Sequence, residues 1–362
     1  MQNKYFIKSV SLVFFFFLIQ SCSKNDSQYQ ALPEPAVVVD LTTVPYAELS
    51  SYHFFSGELK NLNPAAGVLP YHPTSELFSD YALKKRFVWM PKGTKATYDT
   101  DGKILVLPIG AALIKTFYYT KVQPSNNTRI VETRVMIRKA TGWIVAEYLW
   151  NTDQTEATLQ TLGSSLAISW KDQSNVLKST TYRIPSPTEC TMCHNNNLQT
   201  FPIGIKPQNL NTDYHYADGV KNQLAKWVAY GYLENTVPTN IVSVVDYNDT
   251  SKDLNLRVRS YFDINCAHCH QDGGYASFYA LRFPFSQTTT LASMGVCLTP
   301  NHQVPGMTGR IVAPGDLSHS ILFYRVSTTE QSYRMPFLGR TIVHEEGVQL
   351  IQDWITSLTD CE

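Results

Sequence analysis

Residues 130–150, IVETRVMIRKATGWIVAEYLW, decide how the first half of this chain folds. Val131, Thr133, Val135 and Ile137 alternate with Glu132, Arg134, Met136 and Arg138, and a period of two puts successive side chains on opposite faces of a strand. Ala140-Thr141-Gly142 then reads as a turn, and Trp143 to Trp150 continues in extended fashion, so the stretch predicts an antiparallel hairpin. Working outward, residues 86–90, 103–107 and 116–122 are further β-like runs, separated by turns at Pro91-Lys92-Gly93 and Asp101-Gly102. Residues 45–180 are therefore expected to form an antiparallel β-rich domain.

Beyond the hairpin stand two pentapeptides, CTMCH at 190–194 and CAHCH at 266–270. Cys-x-x-Cys-His is the attachment pattern of c-type haem. Two thiols three residues apart add across two vinyl groups of one porphyrin, and the adjoining histidine is held where its ring nitrogen reaches the iron. Cys190, Cys193 and His194, with Cys266, Cys269 and His270, thus imply two covalently bound haem c groups, His194 and His270 being iron ligands. The competing reading is zinc, because paired cysteines with flanking histidines also make tetrahedral sites. A leader at the N-terminus counts against zinc. Structural zinc thiolates belong mainly to reducing compartments, whereas c-type haem is attached outside the cytoplasm.

That leader is MQNKYFIKSVSLVFFFFLIQSC. Lys4 and Lys8 precede an apolar run at 10–19 that is short for a membrane span, and Ser21 precedes Cys22 as in a lipobox. Residues 1–21 are expected to be a lipoprotein signal peptide and Cys22 the lipidated residue. The mature chain would then be anchored to the inner or outer membrane, facing the periplasm or exterior; simple secretion or an uncleaved anchor is the alternative. Residues 22–44, polar and then proline-containing, read as a tether. Lys and Arg balance Asp and Glu at 30 each, so no long-range field favours nucleic acid, and a redox partner protein must be found by shape or local patches. Of the seven cysteines, Cys297 and Cys361 remain once lipid and haem are assigned; they form a disulfide or stand as two separate thiols.

Helical periodicity begins after the first motif. Val220, Leu224, Trp227, Val228 and Gly231 predict a helix over 217–232. Leu254, Val258, Tyr261 and Phe262 mark another running into Cys266, and Val348, Ile351, Trp354, Ile355 and Leu358 mark a terminal one. The expected fold is therefore α+β and multidomain: the β-rich domain, a first haem-binding segment at 181–248 and a cytochrome c-like domain at 249–362, the haem-binding region being mainly α-helical.

For the second haem, Met335 in Tyr333-Arg334-Met335-Pro336 is the preferred sixth ligand, with Met294 and Met307 as competitors. Between Met192 and Met294 there is no methionine, so the first haem lacks a local thioether. His215 and His268 are its candidates, with His72, Met90 and Met136 available from the β-domain, or an open position.

Several blocks carry more than a motif: LFSDYA (77–82), KRFVWMP (85–91), ETR (132–134), GW (142–143), YLWNTDQ (148–154), QNLN (208–211), NQL (222–224) and NCAHCH (265–270). In this order they resemble a family of bacterial diheme c-type cytochromes long catalogued as conserved proteins of unknown function, over about residues 50–358. The resemblance implies a distinctive N-terminal β-domain fused to haem-binding modules, and proximal roles for His194 and His270. Separately, GRIVAPG (309–315), Ser320-Ile321-Leu322, Arg334-Met335-Pro336 and Trp354-Ile355 look like a class I cytochrome c domain. Electron transfer is the expected function. The alternative is a diheme, peroxidase-like oxidoreductase with a reactive first haem.

Overall fold

In a computed structural model, residues 36–361 are described, and the leader with Cys22 lies outside them. The 130–150 hairpin is the centre of an eight-stranded antiparallel sheet. Its strands are β1 (Leu69–Tyr71), β2 (Leu83–Trp89), β3 (Ala112–Val122), β4 (Asn127–Lys139), β5 (Gly142–Trp150), β6 (Ala157–Gln160), β7 (Ser164–Lys171) and β8 (Leu177–Ile184). The spatial order runs β8-β7-β3-β4-β5-β6, with β2 also pairing β3, and β1 pairing β2. Lys139 pairs with Gly142, leaving a two-residue turn, and Gly142 takes a φ of 132° that a side chain would resist.

The alternation read from the sequence assigns the two faces. Phe87, Ile114, Val135, Ile137 and Tyr148 pack against Tyr52, Phe54, Leu62 and Val68 from the loops before β1. Val37, Val39 and Leu41 join that core, so the last residues of the segment expected to be a tether belong to the folded body. The opposite face carries Leu113 and Met136, and these meet Ile205, Leu210, Leu224 and Trp227 from the segment after the sheet.

The mainly α-helical haem-binding region is not what folds. Among the described residues strand accounts for 28% and helix for 20%. Beyond β8 the helices are α1 (Pro187–Cys193), α2 (Pro207–Leu210), α3 (Gln223–Tyr230), α4 (Leu254–Asn265), α5 (Ile321–Ser327) and α6 (Glu345–Ser357), set in long loops. Between α4 and α5 only two short 3-10 turns form, because Gly273, Gly274, Pro284, Gly295, Pro300, Pro305, Gly306, Gly309, Pro314 and Gly315 interrupt any helix. The helix expected over 217–232 begins only at Gln223, since Asp213–Tyr216 pairs with Gly219–Asn222 as a hairpin. Residues 103–107 also depart from expectation: Val106 makes a single bridge to Thr97, while Leu105 and Leu107 go into the core.

The last module is built on α4, α5 and α6, whose Phe262, Leu322, Ile351 and Trp354 share a core with Met294. Cys297 and Cys361 are joined by a disulfide, with 5.7 Å between their Cα atoms and a sequence separation of 64. Closing a loop of that length limits the unfolded chain, an effect of about 4 kcal/mol in the chain-entropy treatment. Cys361→Ser is expected to lower the unfolding free energy by about 2–4 kcal/mol in urea denaturation. No described helix is long and apolar enough to cross a membrane.

Candidate functional site

The first motif is delivered by α1. Ser186 caps the helix by accepting from the Glu189 amide at 3.3 Å, and Glu189 returns the contact by accepting from the Ser186 amide at 2.7 Å. Pro187 at the first helical position completes a strong start signal. One turn later Cys190 is buried, and Cys193 follows three residues on, on the same side of the helix. His194 ends the helix. Its Nδ1 donates to the Phe201 carbonyl at 2.9 Å, which leaves Nε2 free as a ligand atom. Burial lowers the ring's pKa to about 4, so it is neutral at pH 7, the form that binds metal.

Beneath α1 lies the polar face of β3, β4 and β5. Arg134 pairs across the strands with Lys115 and Glu147, a register set by the hairpin. Its guanidinium donates to Glu132 and lies 3.5 Å from Glu147, while Tyr182 donates to Glu132 at 2.6 Å. Burial opposes the Arg134 charge, but the Glu132 carboxylate more than offsets it and holds the group above its usual range. Cys190 Sγ sits 3.8 Å from Glu147. Lys115 faces the same space, and its burial drives the ammonium well below the ordinary lysine range. Arg86, Leu113, Met136 and His194 complete a narrow cavity of about 160 Å³.

The second motif ends α4, which Asp253 caps by accepting from the Leu256 amide at 2.9 Å. Asn265, just before Cys266, accepts from the Phe78 amide at 2.9 Å and thereby joins this module to the loop preceding β2. The same loop supplies Asp80, which accepts from the amides of Thr341 and Ile342 and from the Thr341 hydroxyl. Burial lowers the His270 pKa to about 4, and the ring packs edge-on against Phe283 at 5.3 Å. Its Nδ1 is buried without a hydrogen-bond partner. Cys266, Cys269 and His270 open on a cavity of about 550 Å³ walled by Tyr279, Phe283, Leu298 and Ile311.

Met335 lines both cavities. Its amide donates to the Arg325 carbonyl at 2.7 Å, and the Arg340 guanidinium donates to its carbonyl at 3.0 Å, so the loop is held from both sides. Of the other ligand candidates, Met136 lines the first cavity and His268 lines both. Met294 and Met90 are buried in separate cores. His72 pairs with Glu76 at 3.2 Å, and His215 sits exposed on the 213–222 hairpin. Neither these two nor Met307 is among the residues lining the cavities.

Sequence reasoning passed over His344. It lines the first cavity, stacks on Phe78 at 4.2 Å between centroids and lies 3.1 Å from the Tyr261 hydroxyl. Burial lowers its pKa from 6.5 to about 4. The unfolded chain therefore takes up a proton at pH values where the folded one does not, so stability is level above pH 6.5 and falls as pH drops toward 4. His344→Gln is expected to flatten that acid limb by about 2–3 kcal/mol, read from urea denaturation at pH 7 and 4.5.

Compared with family models, curated proteins and solved structures, the chain gives no match. The donor chemistry itself is the remaining test. At the second motif two thiols, a neutral imidazole and an aromatic-walled space within the roughly 300–1,000 Å³ range of cofactor pockets suit a porphyrin. At the first, the donor set is the same, with less open volume and charged walls.

Proposed function

We propose that this chain is a diheme c-type cytochrome that carries electrons at a bacterial cell envelope, as a member of the diheme family its sequence resembles. The observation that carries the reading is the repeated Cys-x-x-Cys-His pattern, with the residues of both motifs lining adjoining cavities. Cys190 and Cys193 would hold one haem and Cys266 and Cys269 the other, with His194 and His270 as proximal ligands. When bound, the irons supply one-electron valence change; the protein sets ligation, access and local field. Met335 would supply the sixth ligand of the second haem. That of the first would be sought between Met136 and His344, which line its cavity.

The pyridine haemochrome assay is expected to return two haems per chain. Zinc in their place would overturn the reading, and the cysteine–histidine cluster at Cys193, His268 and Cys269 would be where to seek it. A peroxidase-like oxidoreductase is the second reading, supported by the charged walls that Arg134, Arg86 and Glu189 give the first cavity. Carbon monoxide separates the two. A carrier with both irons six-coordinate binds little, whereas rapid full binding at one haem marks an open, reactive position. The partner is a redox protein, with no role for nucleic acid. Anchoring rests on Cys22: Cys22→Ser is expected to move the protein from the membrane fraction to the soluble one.

A further inference from the structure

Cys193 Sγ, Cys269 Sγ and a ring nitrogen of His268 all lie within 4.8 Å of one another. The two thiols belong to different motifs, 76 residues apart, yet they share a hydrogen bond. The two cavities also share a wall made of Val326, Met335, Pro336 and Leu338. His268 is 8% exposed, and its Nδ1 is buried with no hydrogen-bond partner. A buried donor or acceptor left unpaired beside two thiols calls for an occupant.

We propose that the two prosthetic groups meet edge to edge at Cys193 and Cys269, with His268 filling the seam, so that electrons exchange directly across this contact. The proposal rests on the haem reading above. Each thioether joins its sulfur to the rim of its own porphyrin by one carbon–sulfur bond. Two sulfurs this close therefore bring two rims together. A ring nitrogen within 4.8 Å of both sulfurs would lie at the rims rather than over either iron, which assigns His268 to the seam and not to an axial position. The exchange balances by itself: one iron passes from ferrous to ferric as the other passes from ferric to ferrous. One electron crosses, no bond forms or breaks, and no outside oxidant is consumed.

Circular dichroism in the Soret region of the full-length protein, with haem content measured on the same sample, tests this. Two porphyrins in contact are expected to give a bisignate band. A single-signed band from protein carrying two haems per chain would overturn the contact and leave the haem reading standing, whereas fewer than two haems would overturn the reading beneath it. The double substitution Cys190→Ala with Cys193→Ala is expected to leave one haem and a single-signed band. A bisignate band surviving there would place the coupling between chains and reject the proposal. His268→Ala is expected to leave both irons low-spin; high-spin iron on that change would make His268 an axial ligand and remove it from the seam.

Discussion

Replacing Arg134 by Met is expected to lower the unfolding free energy by about 3–5 kcal/mol, the usual cost of removing one partner from a buried charge cluster. Methionine keeps the apolar stem and much of the volume, so the loss is electrostatic. Glu132 and Glu147 are 0% and 1% exposed, and Arg134 is the cation between them. Without it, two carboxylates would face each other across β4 and β5 with no counter-charge. Adding Glu147→Gln to the substituted chain is expected to recover a large share of the loss, because it removes one of the two unpaired charges. Urea denaturation of wild type, single and double variants measures both. A single-variant loss under about 1 kcal/mol would mean that water already reaches the carboxylates. Because Glu147 lies against Cys190, the single variant should also bind less of the first haem than of the second.

Met335→Ala is expected to have the largest effect on redox behaviour. A thioether ligand raises the potential of a histidine-ligated haem, and axial ligands command a range of ~0.8 V in all. Loss of Met335 should lower one midpoint potential by on the order of 0.1–0.3 V within that range, abolish the thioether-to-iron charge-transfer band of the oxidised protein and open that iron to carbon monoxide. The loop should keep its place, because Arg325 and Arg340 hold the Met335 backbone rather than its side chain. An unchanged charge-transfer band would reject the assignment. Since Met335 lines both cavities, the single-haem protein described above identifies which iron has lost its ligand.

The β4–β5 hairpin was legible because alternation over two strands and a short turn are local signals, decided within about 20 residues. The pattern also placed Thr133, Val135 and Ile137 on the face opposite Glu132, Arg134 and Met136, but a bulge beside Glu132 sends Val131 to the core of Phe117 and Tyr182 and leaves Ile130 with Val135 and Ile137. It said nothing of what would cover the charged face. An alternating charged face usually meets water, whereas here α1 and the loops around residues 202–204 and 335–344 close over it. The region after β8 was misread for a related reason. Short apolar repeats at 224–230, 254–262 and 348–358 carry a true helical period, but residues 219–222 close a hairpin instead and the chain between α4 and α5 is too rich in glycine and proline to continue it. His344 gave no local signal at all, since a single histidine ahead of a helix acquires meaning only when Phe78 and Tyr261 pack on it.

By itself, the order of residues determined the spacing of each Cys-x-x-Cys-His motif, the start of α1 at Ser186-Pro187 and most of the two faces of the hairpin. These follow from covalent spacing and from backbone periods that act over a few residues. Only the tertiary structure decided that Cys193 and Cys269 stand together, that Arg134 is locked between two buried carboxylates under Cys190, and that Met335 looks into both cavities. Those outcomes depend on closing loops of tens of residues and on burying charge away from water. Both are settled by the free energy of the whole packed body, not by any local run of sequence.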